Sequence, residues 1–178
     1  MGRLLERDRA VLVVIDVQEA FRPAVRGFKR VAKNVGTLVE GAKALGVPVV
    51  VTEQYPKGLG ATVPEVASNS APVVRKMSFD ASAAPNFPAA PPERPQLVVV
   101  GCEAHVCVLQ TVLGLLDQGR DVFVVRDAIG SRRAESKETA IARMERHGAE
   151  IVTTEMVVFE WLATADNPRF RELSGLIK

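Results

Sequence analysis

Val11-Leu12-Val13-Val14-Ile15-Asp16-Val17 is a run of apolar, mostly β-branched residues interrupted by a single carboxylate. A strand with one wet face alternates apolar and polar side chains. This run does not, so it reads as a strand covered on both faces, as strands of a parallel sheet are. Downstream, Val31, Val35, Leu38, Ala42 and Leu45 recur at spacings of four and three, which puts them on one face of a helix ending near Gly46. A second β-branched run, Val47 to Thr52, follows at once. Strand, helix, strand is the alternation that a parallel sheet with covering helices requires.

The alternation continues to the end of the chain. After a Gly- and Pro-containing loop from Gln54 to Pro64, Val73 to Lys76 reads as a short third strand. Five prolines between Ala81 and Pro95 deny that segment a regular hydrogen-bond ladder, so it reads as an irregular connector, long enough to serve as a flap. Leu97 to Val100 reads as a fourth strand ended by Gly101, and Val106, Leu109, Val112, Leu113 and Leu116 as a helix stopping at Gly119. Strands at Val122 to Val125 and Glu150 to Thr153 flank a charge-laced helix from about Glu135 to His147. The last segments read as helices, Met156 to Ala163 and then one that Pro168 opens at its first position. With no repeat or linker, 1–178 reads as a single domain: α/β, a three-layer α/β/α Rossmann-like fold with a six-stranded parallel sheet in the order 3-2-1-4-5-6.

Composition narrows the partners. The 23 basic and 21 acidic residues are scattered along the chain with no basic block to track a phosphate backbone, which argues against nucleic acid. Two cysteines in a chain with ample apolar residues do not make a disulfide scaffold, and a reducing, cytoplasmic setting is expected. The short apolar run that Asp16 interrupts fits neither a signal peptide nor a membrane span. The apolar C-terminal stretch with Met156, Val157, Phe159 and Trp161 points to a homo-oligomer.

In an open parallel sheet, ligands bind beyond the carboxyl ends of the strands, where the strand order reverses. Asp16 would end the first strand, Lys76 the third, and Cys107 would lie in the first helical turn after the fourth. A thiol is mostly protonated at neutral pH, and the thiolate is the nucleophile. Asp16 could take the proton, Lys76 could stabilise the thiolate, and backbone N–H groups of the same turn could bind an oxyanion. Each residue alone has a plain structural reading, as a cap, an exposed lysine or a core cysteine. Their convergence at one edge is what points to chemistry.

Val14-Ile-Asp-Val-Gln18, Arg75-Lys-Met-Ser-Phe-Asp80 and Gly101-Cys-Glu-Ala-His-Val-Cys-Val-Leu-Gln-Thr111 resemble, in order and spacing, segments of the isochorismatase-like cysteine hydrolases, which include nicotinamidases and carbamoyl-amide hydrolases. Thr52-Glu-Gln-Tyr-Pro-Lys-Gly-Leu-Gly60 with Thr62-Val-Pro-Glu65 is similar to the subgroup of isochorismatase domain-containing proteins. The resemblance covers nearly the whole chain. It implies a catalytic triad of Asp16, Lys76 and Cys107, and a cis peptide between Cys102 and Glu103 that aims the N–H groups of Glu103 and Cys107 into an oxyanion hole. Nicotinamidases hold a metal with an Asp and His cluster after the second strand, where this chain has Thr52, Glu53, Gln54 and Tyr55, so no metal and no cofactor are expected. Isochorismatases proper cleave a vinyl ether without a cysteine, so Cys107 argues for a C–N bond of a small-molecule amide or carbamoyl substrate, cleaved through a thioester.

The pocket walls are expected from Phe21, Gln54, Tyr55, Glu103 and His105. Other readings compete. Cys102, His105 and Cys107 could be metal ligands but lack a fourth at zinc spacing, the two cysteines could be a redox pair, and the scaffold could serve as a non-catalytic binding or interaction protein.

Overall fold

The computed structural model describes residues 4–66, 71–88 and 90–177. Six strands form one parallel sheet: β1 (Ala10–Ile15), β2 (Val49–Gln54), β3 (Val73–Lys76), β4 (Gln96–Cys102), β5 (Asp121–Gly130) and β6 (Glu150–Val152). Their order is β3-β2-β1-β4-β5-β6, as the sequence predicts, with the reversal between β1 and β4. Every residue of β1 and β4 is buried, because helices cover both faces.

The helices are α1 (Phe28–Leu45), α2 (Pro56–Leu59), α3 (Leu109–Asp117), α4 (Ala134–Arg146), α5 (Thr154–Leu162) and α6 (Phe170–Leu176). Two cores result. Val31, Val35 and Leu38 of α1 pack with Val157 and Trp161 of α5 over one face, while Val108, Val112 and Met144 pack with Val13 and Val99 over the other. At about 1.5–3 kcal/mol for each buried aliphatic or aromatic side chain, these two layers hold the sheet between them.

Several readings are corrected. β5 runs on to Gly130, well past Val125, because a register shift against β4 between Val99 and Gly101 lets the strand resume after the polar pair Arg126-Asp127. Pro168 precedes the last helix, whose N-cap is Arg169, so it does not occupy the first helical position. Val157 and Trp161 are buried within the chain, which leaves only Met156 and Phe159 of that stretch exposed. The proline-rich segment is a packed connector: Ala81 and Ala84 are buried in the second core, and Phe87 lies against it.

Candidate active site

The strands are parallel, so their C-terminal ends share one edge, and buried polar side chains such as Asp16, Thr52, Gln54, Lys76, Glu103 and Ser131 gather there. Burial of that many polar groups needs a complete hydrogen-bond account.

Asp16 leaves β1 with φ 48°, a left-handed conformation that Asp tolerates better than most residues. Its Oδ1 accepts a hydrogen bond from Thr52 Oγ1 at 2.6 Å, and its Oδ2 accepts one from Lys76 Nζ at 2.8 Å. Both side chains of that ion pair are fully buried. Lys76 Nζ also donates to Gln54 Oε1 at 2.7 Å and to the Ser78 carbonyl at 3.2 Å. Gln54 in turn donates from Nε2 to the Met77 carbonyl, while its own backbone N–H donates to Gln18 Oε1.

Gly101 brings β4 against the end of β1. It pairs with Ile15 at φ 119°, and a methyl group there would overlap the Ile15 carbonyl oxygen. The peptide Cys102–Glu103 is cis, as the resemblance implies. The chain then winds through a π-helical turn, Ala104–Val108, that carries Cys107 directly into α3. A single π turn of this kind is frequent where function bends a helix.

Cys107 is 4% exposed. Burial pushes its thiol up to about 12, and the negative charge of Asp16 and a hydrogen bond to it push the same way; the positive charge of Lys76 opposes them. The resting thiol is therefore protonated, with a base beside it. That differs from a thiolate standing ready at neutral pH. Cys102 is wholly buried and its thiol is raised further still, chiefly by that burial.

The remaining predicted residues scatter. Glu103 is buried, and its Oε2 accepts hydrogen bonds from the Arg132 backbone N–H at 2.8 Å and from Arg132 Nε at 3.1 Å. His105 Nδ1 lies 3.0 Å from Ser131 Oγ, and with Arg132, Arg133 and Ser136 the ring lines a cavity of about 370 Å³ beside the nucleophile turn. Tyr55 is about half exposed, at φ 38°, with its ring against Gly58. Phe21 packs against the α1-side core. Among the described residues, no three of His, Cys, Asp and Glu come together as metal ligands do, and no helix is long and apolar enough to cross a membrane. The sequence reading missed Thr52 as a partner of Asp16. A hydroxyl among the last residues of a buried strand was the available signal.

Known proteins share this sequence pattern and fold. The isochorismatase domain model matches residues 10–156. The chain is 41% identical to "Secreted isochorismatase effector Isc1" of Phytophthora sojae, over 100% of this chain and 88% of that protein. It is 38% identical to human "Isochorismatase domain-containing protein 2", over 100% and 87%. Among solved structures it resembles the MAR1 ribonuclease of Caenorhabditis elegans, with TM-score 0.89 and 34% identity over 98% of this chain and 92% of that one. It also resembles YcaC of Pseudomonas aeruginosa, determined with hexane-2,5-diol and covalent acrylamide, with TM-score 0.90 and 26% identity over 99% and 92%.

Proposed function

The chain belongs to the isochorismatase domain family, a hydrolase scaffold, and from that premise we propose that it is a cysteine-dependent hydrolase cleaving a C–N bond of a small amide or carbamoyl compound. The observation that carries the reading is the buried Lys76–Asp16 pair beside a protonated Cys107 thiol. A buried ion pair adds little stability over apolar residues of the same volume, and strongly perturbed groups gather where chemistry is done.

The steps follow from the groups present. Asp16 takes the Cys107 proton as the sulfur attacks the substrate carbonyl carbon, and the N–H groups of Glu103 and Cys107 receive the developing oxyanion. Lys76, fixed on Asp16 Oδ2, holds that carboxylate in place before the transfer and offsets negative charge on sulfur during it. The tetrahedral intermediate collapses, Asp16 returns the proton to the leaving nitrogen, and a thioester remains on Cys107. Water, deprotonated by Asp16, then releases the acid and restores the thiol. The related YcaC was determined with covalent acrylamide, an electrophile that a reactive nucleophile captures at its vinyl carbon. Gln54, whose amide is tied at both ends, serves as a positioning residue.

The test is turnover of a panel of small amides, ureides, esters and RNA by wild type and Cys107→Ser, with intact-mass detection of an acyl adduct. Turnover of an amide with an adduct on Cys107 is expected. Activity that survives Cys107→Ser overturns covalent catalysis. The competing reading, a binding protein on this scaffold, predicts instead that iodoacetamide alkylates Cys107 as sluggishly as the sealed Cys102.

The protein is further proposed to form a homo-oligomer. Met156 and Phe159 remain exposed, and Tyr55, Val73, Met77 and Phe79 make a second exposed apolar set at the β3 edge. A monomer by light scattering at micromolar concentration rules it out.

A further inference from the structure

Lys76 ends an edge strand. Among the described residues β3 pairs only with β2, with no sheet partner on its other side, and the segment that follows it leaves the sheet at once. Yet that segment supplies the Ser78 carbonyl, which Lys76 Nζ reaches at 3.2 Å. Something other than the sheet must hold it.

The holder is α3. Ala81 N–H donates to Thr111 Oγ1 at 2.9 Å, and Thr111 is fully buried. Asp80 Oδ1 accepts from Ser82 N at 2.8 Å and Ser82 Oγ at 2.7 Å, and Ser78 Oγ donates to the Asp80 carbonyl at 2.8 Å, so the turn from Ser78 to Ser82 is internally locked. Gln118 Nε2, just past the end of α3, donates to Ser82 Oγ at 3.3 Å. The locked turn rests on Gly114. A Cβ at that position would meet Ser82 Oγ at 2.5 Å and Asp80 Oδ2 at 2.6 Å.

Gly114 has no positive φ, so its backbone conformation does not call for glycine. In a helix interior glycine costs about 0.5–1 kcal/mol relative to alanine. Close approach of the Asp80–Ser82 turn is the remaining reason for it. Thr111 and Gly114 are three residues apart and share a face of α3, and α3 is the direct continuation of the turn carrying Cys107. One helix thus supports both the nucleophile and the segment behind the ammonium.

We infer that Gly114 and Thr111 are positioning residues, a seat on α3 that sets, through the Asp80–Ser82 turn, where the Lys76 ammonium stands relative to Asp16 and Cys107. The inference rests on the hydrolase reading above, and it adds a specific dependence of Cys107 reactivity on a helix face that touches none of the reacting groups.

The test is the alkylation rate of Cys107 by iodoacetamide against pH, followed by peptide-resolved mass spectrometry on the full chain, for wild type, Lys76→Met, Gly114→Ala, Thr111→Val and the double variant Lys76→Met/Gly114→Ala. One unit of thiol pKa corresponds to about tenfold in thiolate, so Lys76→Met is expected to slow alkylation near neutral pH about tenfold and Gly114→Ala about threefold. Gly114→Ala should add no further loss in the Lys76→Met background, because its effect passes through the ammonium. Thr111→Val keeps the side-chain volume, removes the bond to Ala81, and should slow alkylation in the same direction should the glycine variant fold poorly. Wild-type rates in both single seat variants overturn the inference while leaving the hydrolase reading intact. Equal slowing by Gly114→Ala with and without Lys76 also overturns it. Wild-type rates in Lys76→Met take both readings down together.

Discussion

The carboxylate and the thiol stand on or just beyond the two strands buried along their whole length, whereas the ammonium that joins them comes from a four-residue edge strand in which every second residue is exposed. Asp16 and the Cys102–Cys107 turn are placed by sheet register: β1 pairs with β4 from Ala10 to Ile15, and Gly101 closes the last gap. Lys76 has only four residues of register on one side, and the hydrogen bonds its ammonium donates to Gln54 Oε1 and to the Ser78 carbonyl complete its placement. One half of the site inherits its geometry from the fold. The other half has its geometry built locally, so the two halves should fail in different ways.

The largest effect is expected on the sheet side. Gly101→Ala must push a methyl group into the Ile15 carbonyl in a left-handed conformation, and with backbone on both sides nothing yields cheaply. A loss of more than about 4 kcal/mol of stability is expected, read as failure to reach a cooperative folded state in urea melts. A folded, stable Gly101→Ala variant would show that register does not hold this half. Gly114→Ala, on the other side, should keep its fold.

The same division explains what could be read in advance. The strands were legible because a doubly covered strand has nowhere to put polar residues, and the order of the sheet followed from the alternation together with the usual order of a doubly wound sheet. Asp16 and Lys76 were legible as charges ending apolar strand runs, and Cys107 as a thiol in the first helical turn beyond the fourth strand. The π turn over Ala104–Val108 was not, because five residues are too few to separate its period from that of an α-helix. Nor was α2, a single turn of four residues. Thr52, the lock on Gln54, and the seat at Gly114 were hidden for another reason: hydrogen-bond partners distant in sequence leave no periodicity. Trp161, part of the apolar stretch that points to a homo-oligomer, is covered within the chain, since α1 and α5 pack over one another.

A second, intermediate effect separates base from nucleophile. In Asp16→Asn the proton acceptor is gone, and turnover is expected to fall by about 10²–10⁴. Yet Asp16 raises the Cys107 thiol by its charge and by its hydrogen bond, while Lys76 lowers it. Removing the carboxylate charge therefore brings the thiol down, and alkylation at pH 8 should speed up as turnover collapses. Parallel loss of both would mean that Asp16 merely holds the turn in shape. Leu or Val at position 16 would confuse the test, because it takes both the counter-charge and an acceptor from the buried Lys76 ammonium, at a cost of about 3–5 kcal/mol.

The smallest effect is one of pH on stability, and it contrasts the sealed sheet end with the surface. Cys107 is raised from its ordinary value to about 12 and Cys102 is raised too, both chiefly by burial. An acid whose pKa is higher folded than unfolded contributes stability that is complete below the unfolded value, near 9, and is lost as pH climbs from there toward the folded value. Each thiol then adds a slope of about 1.4 kcal/mol per pH unit above that point. Glu65 has the opposite sign. Its hydrogen bonds from Arg22 hold it down to about 2, so its contribution is lost only as pH falls from the ordinary carboxylate range toward that value. That pair is at the surface and screened by salt, whereas the thiols are not. Urea melts of wild type against a Cys102→Ala/Cys107→Ala variant, at low and high salt, should therefore show an alkaline difference that survives salt and an acid limb, common to both proteins, that weakens with it. An alkaline difference that salt erases would place the thiols in contact with solvent, and the protonated resting nucleophile on which the proposed proton transfer depends would go with it.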